Sequence, residues 1–373
     1  MSKWLPELEG LRGFASLWVF IGHICILSQF HVPILGSPSY GVDLFIILSG
    51  FLMTKNYVER QDAEPWYNIR TVFNFIFRRF FRIAPLYYVL LLIAIYFGPA
   101  LGELREIIGQ SDLITRTNIN KYNDQSMFNF LVHISLLFGI SPSYSANTAL
   151  PDWSISLEFQ YYILFPFIMM LVGRLGEKLV LPVITILCVS GYYIFSAFYS
   201  SFELPSFILL KLPVFISGMF IYIATIKKNV LSLSLALFSL IVNSITSLHI
   251  NTVQLCVQII MVLFVFYISI CVEKKEGAIL IIRKLLTNKI SLWIGDVSYS
   301  VYLIHLLVIL PVLAFLIQDY ELLNTSPFIR FSLVAIICVP IVYSLSFLTY
   351  NYIEKNGIEF GKLIIKRFAR SYR

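Results

Sequence analysis

Charge is what this chain has least of. Only 13% of its 373 residues are Asp, Glu, Lys or Arg, against 58% hydrophobic, and the mean hydropathy is +0.81. Soluble domains are close to a quarter charged, so a water-soluble globule is excluded: it would lack the polar surface to cover itself. Cysteine is scarce too. The five, Cys25, Cys188, Cys256, Cys271 and Cys338, are odd in number and each sits in an apolar run. They read as small buried hydrophobes, and no disulfide framework is expected. Neither CxxC nor HExxH occurs, so no protein-held metal is expected. No repeat, low-complexity tract or shift of composition marks a second domain. The first 30 residues do not read as a cleaved signal: the apolar stretch is too long, no small-residue cleavage site follows, and many spans come after it.

Apolar and aromatic residues are abundant instead. Phe (32) and Tyr (22) suit cores and membrane interfaces. The expected class is an all-α, polytopic integral membrane protein. A bilayer core of roughly 30 Å needs about 20 apolar helical residues. Ten stretches qualify, near 12–30, 39–57, 83–101, 155–173, 179–199, 207–226, 229–249, 252–272, 291–317 and 328–350. A further piece, 127–140, is shorter and is expected to be re-entrant or interfacial. The domain reading is one transmembrane domain, 1–355, with a basic cytoplasmic tail, 356–373. With both termini in the cytoplasm, 23 of the 28 Lys and Arg fall on cytoplasmic segments, in the sense of the positive-inside rule. The net charge of +7 therefore implies no nucleic-acid partner. The expected location is the inner (plasma) membrane.

Polar residues inside such spans are costly and usually functional. In "LEGLRGFASLWVFIGHICIL", Arg12 and His23 are eleven residues apart. That is close to three helical turns, so they share a face, roughly 16 Å apart along the axis. The ordinary reading is a snorkelling arginine and a histidine bonded to backbone; the pairing on one face favours function. "SYGVDLFIILSGFLM" carries Asp43, which could fix the tautomer of a nearby imidazole and raise its basicity. Its Gly41, Ser49 and Gly50 read as small residues for close helix approach. "FNFIFRRFFRIAPLYY" groups Arg78, Arg79 and Arg82 at i,i+4 and i,i+3 spacing. Planar guanidinium forks suit phosphate and the aromatics between them suit an adenine, although a plain positive-inside flank is the bland alternative. "PDWSISLEFQ" places Trp153 and Ser154 ahead of Glu158. Trp153 could stack on a sugar ring, and Glu158 could hold hydroxyls or share in proton transfer; an interfacial Trp and a helix-start Glu are the alternatives. In "SYSVYLIH", Ser298, Tyr302 and His305 fall at i, i+4 and i+7 on one face. Ser298 and Tyr299 read first as ties between helices, His305 as a second polar group in the core. His31, His133 and His249 receive no role.

Taken in order, "LRGFASLWVFIGH", "GVDLFIILSGFL", "RRFFRIAP", "PDWSISLEFQYY" and "IGDVSYSVYLIH", with a late "YNYIEK" at Tyr350 to Lys355, resemble the membrane-bound acyltransferase family 3. Many bacterial O-acetyltransferases of surface polysaccharides are of this kind. One departure stands out: where the commoner form has a second acidic residue after the glutamate, this chain has Phe159, so only Glu158 carries over. The resemblance implies an acyl-CoA donor in the cytoplasm, usually acetyl-CoA, and an acceptor hydroxyl on the other side. It implies that Arg12, Arg79 and Arg82, with Arg78 beside them, serve the donor, and that His23 stands at the point of acyl transfer. Asp43 and Glu158 would complete the catalytic set. Trp153, Ser154, Tyr302 and His305 would face the acceptor, a glycan or lipid-linked saccharide. No permanently bound cofactor is expected; the partners are acyl-CoA, the glycan and membrane lipid. The competing readings are a transporter or flippase of a glycolipid intermediate, and a structural subunit of an envelope assembly. A transporter has no need of a CoA-binding cluster.

Overall fold

In a computed structural model, which describes residues 5–110, 120–246, 252–271 and 276–371, the regular elements among the described residues are all helices, with no strand. Of the expectations above, His249, the ends of the stretches 229–249 and 252–272, and the last two residues of the tail lie outside the described residues. The helices, in chain order, begin with α1 (Pro6–Leu27), α2 (Pro38–Arg60), α3 (Ile69–Tyr96), α4 (Gly98–Gly109), α5 (Asn120–Asn123) and α6 (Met127–Ile134). They continue with α7 (Trp153–Leu175), α8 (Glu177–Ile194), α9 (Ser196–Ser200), α10 (Ile208–Lys227), α11 (Val230–Thr246) and α12 (Thr252–Ile270). The last are α13 (Ala278–Thr287), α14 (Lys289–Asp296), α15 (Ser298–Tyr320), α16 (Pro327–Thr349) and α17 (Lys355–Ser371).

Among the described residues, nine helices are long and apolar enough to cross a membrane, and the shorter apolar Val230–Ile245 makes a tenth apolar helix. These correspond to the ten stretches expected from hydropathy. A helix satisfies its own backbone, which is why it is the form that apolar segments take in lipid. α6 has eight residues, or about 12 Å of helix, too short to span. Its start is set by Ser126, whose hydroxyl accepts from the Asn129 N–H at 3.1 Å. α16 begins the same way, with Ser326 as cap and Pro327 in the first turn.

Three boundaries differ from expectation. α3 starts at Ile69, so the arginine cluster lies inside one continuous helix and not in its flank. The ninth expected span is divided at Val297 into α14 and α15. The tail is a helix, α17, which follows α16 through a π-turn at Tyr350–Glu354.

The chain divides into two compact units, one of residues 1–15, 42–76 and 157–295, the other of 16–41, 77–156 and 296–373. In the first unit α10 is central: every residue from Leu210 to Ala224 is buried. A helix that is apolar all round belongs inside, and α8, α11 and α12 pack against it. α2 meets α10 at glycines on both sides. A Cβ on Gly50 would lie 2.1 Å from the Phe215 carbonyl oxygen, and one on Gly218 2.1 Å from that of Ile47. The first turns of α1 meet α13 and α14 as closely, at Gly10 and Gly13.

In the second unit α15 packs on α4 and α16. α17 lies along α3: a Cβ on Gly357 would come within 2.6 Å of Pro85, and one on Gly361 within 2.6 Å of Phe81. Tyr299 ties α15 to α3 by donating to the Ile83 carbonyl at 2.7 Å, as expected of it, whereas the buried Ser298 hydroxyl has no hydrogen-bond partner among the described residues. Four cysteines are buried as expected; Cys256 is exposed.

Candidate active site

His23 stands on the fifth turn of α1, in the second unit, and the group beside it is not an acid but a second imidazole. Its Nδ1 lies 2.9 Å from the Val19 carbonyl oxygen, one turn back, and 3.1 Å from Nε2 of His305 on α15. The rings are 4.9 Å apart at 41°. His305 is fully buried, and its Nδ1 lies 3.1 Å from the Val301 carbonyl oxygen. Phe20 and Tyr302 flank its ring at 5.8 and 6.1 Å.

Tyr302 is fixed in turn. Its hydroxyl donates to the Pro151 carbonyl at 2.5 Å. That uses its one proton, so at 2.6 Å it accepts from Ser154. Two of the four residues expected to meet the acceptor thus bond each other, joining α15 to the start of α7. Next to them Asp152 is buried, accepting from Tyr87 at 3.1 Å and Thr148 at 2.9 Å. Burial pushes its carboxyl above the usual range; the nearby His133 and the two hydroxyl donors oppose that rise. Trp153, the first residue of α7, is half-buried.

Arg105 on α4 is a residue that motif reading passed over. Its buried Nε has no hydrogen-bond partner among the described residues. Burial lowers the pKa of its guanidinium, and Tyr122 counters the shift. Glu354, in the π-turn, is another: it is buried and accepts from Ser300, which also accepts from Thr349 at 3.0 Å. The match at "YNYIEK" was the signal for Glu354; Arg105 stands between Glu103 and Glu106 in no motif that would single it out.

The arginine cluster is on α3 in the same unit. Arg78, Arg79 and Arg82 are all half-buried, on a helix that holds them at the expected spacing.

In the first unit, Arg12 pairs with Glu9 at 3.0 Å. Glu158 accepts from the Tyr162 hydroxyl one turn on. Asp43, expected to act on a nearby imidazole, is held by polar side chains of its own unit. Its Oδ1 takes an ion pair from Lys211 at 2.7 Å, and its Oδ2 accepts from the side-chain amides of Gln254 and Gln258, both at 2.7 Å. All four side chains are buried. A carboxylate with three strong donors is already compensated, and the partners at Nδ1 of His23 are the Val19 carbonyl and His305. Lys211, Gln254 and Gln258 were visible in the sequence as isolated polar residues in apolar spans; their convergence on Asp43 was not.

The chemical capacity of the site follows. A half-buried imidazole with Nδ1 engaged offers its other nitrogen to a substrate, as a base or as a nucleophile. The family description of an acyltransferase domain matches residues 5–347. Among characterised proteins the chain is similar to the acyltransferase MdmB of Streptomyces mycarofaciens, 29% identical over 187 residues, 47% of this chain and 41% of that one. It is similar to the peptidoglycan O-acetyltransferase OatA of Listeria monocytogenes, 25% identical over 173 residues, 44% of this chain and 24% of that one. A putative O-acetyltransferase of Staphylococcus aureus strain COL is 26% identical over 167 residues, 45% of this chain and 25% of that one. The alignments thus span less than half the length of these relatives. No solved structure matches. With residues 5–347 covered, the chain belongs to acyltransferase family 3.

Proposed function

We propose that the protein transfers an acetyl group from acyl-CoA, taken up at the cytoplasmic face, to a hydroxyl of an extracytoplasmic or lipid-linked glycan such as a surface polysaccharide. The observation that carries this reading is an imidazole in a membrane-length helix, engaged at Nδ1, in a chain of the acyltransferase family. The name of the Listeria relative supports a glycan acceptor. The positive-inside bias supports cytoplasmic termini and a plasma-membrane location.

In this reading Arg12, Arg78, Arg79 and Arg82 hold the phosphates of the donor, for which rigid guanidinium forks are suited. His23 acts at the thioester, either taking the proton of the acceptor hydroxyl or carrying the acyl group. Trp153 and Glu158 bind the sugar. Asp43 takes no step; it braces α2 against α10 and α12.

The test uses the full chain in detergent with acetyl-CoA as probe. CoA should stabilise the protein against heat. His23→Ala should keep that stabilisation and lose transfer of labelled acetyl to envelope glycan by about 10²–10⁴-fold, the usual contribution of a positioned proton-transfer group. Arg82→Lys keeps the charge and loses the planar fork, and should weaken CoA binding about tenfold; Arg367→Lys on α17 should not. Wild-type transfer in His23→Ala, or no response to CoA, would overturn the proposal.

A further inference from the structure

We infer that His305 is a positioning residue: together with the Val19 carbonyl it holds His23 as the Nδ1–H tautomer, so that Nε2 of His23 is the reacting atom. The role in catalysis rests on the function proposed above; the tautomer rests on geometry alone.

The balance of donors and acceptors places the protons. A carbonyl oxygen only accepts. Nδ1 of His305 faces the Val301 oxygen at 3.1 Å, so it carries a proton. In the neutral ring the other nitrogen, Nε2, is then an acceptor. That acceptor lies 3.1 Å from Nδ1 of His23, which also faces the Val19 oxygen at 2.9 Å. Two acceptors converge on one nitrogen, and that nitrogen carries the proton. The opposite assignment would set a lone pair of His23 against a carbonyl at 2.9 Å. His23 Nε2 is left with its lone pair, and no group among the described residues bonds it.

The arrangement is built to persist. His305 is buried between the rings of Phe20 and Tyr302, and Tyr302 is anchored to Pro151 and Ser154. A neutral acceptor orients His23 without adding a second charge to the membrane interior, where charge is costly. It does for His23 what a carboxylate does for the histidine of a Ser-His-Asp triad.

In the base route, the acceptor hydroxyl gives its proton to Nε2 as its oxygen bonds the thioester carbon. The C–S bond then breaks, and the proton passes to the departing CoA thiolate. The transient imidazolium directs its Nδ1–H at two acceptors. In the carrier route the same Nε2 bonds the carbonyl carbon and CoA leaves as thiolate. The glycan oxygen then takes the acyl group, and its proton goes to the thiolate.

The test compares His305→Gln, His305→Asn and His305→Leu in the full chain. Glutamine carries an amide oxygen out to about the reach of Nε2, whereas asparagine stops at the level of Nδ1. His305→Gln should keep kcat within about tenfold. His305→Asn and His305→Leu should lose about 10²–10⁴-fold, with KM for acetyl-CoA unchanged in all three. Separately, the ¹⁵N NMR signal of His23, assigned by difference against His23→Gln, should report protonation at Nδ1 in the native protein. Equal kcat in the Gln and Leu variants would overturn the positioning role. An Nε2–H signal for His23 would overturn the tautomer. If native protein transfers no acetyl at all, the functional reading fails while the NMR measurement still decides the tautomer.

Discussion

At the scale of the residue, this chain is governed by the cost of putting polar groups where water is absent. Asp43 and Lys211 are each expensive when buried, and the pair is stable because the amides of Gln254 and Gln258 complete the carboxylate. Breaking a buried pair from one side leaves a charge uncompensated and costs about 3–5 kcal/mol, whereas replacing both partners by apolar groups is often neutral. Lys211→Met should therefore lower the thermal midpoint sharply, and Lys211→Met combined with Asp43→Leu should recover most of it. Unfolding monitored by tryptophan fluorescence in detergent reads both. A single variant as stable as wild type would show that the ion pair does not carry the burial cost. Each of these residues was legible as an anomaly within its own span. Which anomalies compensate each other was not legible, because the partners lie 168, 211 and 215 residues from Asp43.

At the scale of the element, close approach decides more than apolarity does. Apolar burial drives helices together weakly in lipid, and small residues at the crossing supply the contact. Gly50 and Gly218 face opposite ways across the α2–α10 crossing, each against the other helix's backbone. Gly50→Ala would force the backbones apart, since the added carbon falls 2.1 Å from a carbonyl oxygen that cannot move alone. Overpacking of this kind costs about 1–3 kcal/mol. The control is Gly173→Ala on α7, whose added carbon meets only the Tyr57 hydroxyl, at 3.9 Å. That change should be neutral or stabilising, because alanine is the better helix former. Equal thermal midpoints for the two variants would sink the close-contact argument. The value of Gly50 for packing was readable from the "LSGF" run. The early start of α3 was not, because hydropathy reports only the apolar part of a helix. The first turns of α3 are held instead by tertiary packing, with Phe75 against the rings of Trp66 and Phe165 at 5.1 and 5.8 Å.

At the scale of the whole molecule, the orientation proposed from the distribution of Lys and Arg predicts a labelling pattern. In a background with all five cysteines replaced, Ser143→Cys, an exposed position between α6 and α7, should react with an impermeant maleimide added from outside. Lys228→Cys, exposed at the end of α10, should react only after the membrane is opened. The reverse pattern would invert the topology and with it the assignment of donor and acceptor faces.

The amino-acid sequence by itself determined the membrane class, the apolar helices, the spacing of Arg12 and His23, the arginine cluster and the family. These are local properties: in lipid each segment must satisfy its own backbone, so length, hydropathy and short motifs read directly as helices. The tertiary structure alone decided that His305, 282 residues away, is the neighbour of His23, and that Asp43 belongs to Lys211, Gln254 and Gln258. The reason is geometric. A helix presents polar residues on every side, and only its rotation and crossing with other helices choose which of them meet. That choice is made by side-chain packing summed over many contacts, which no single segment encodes.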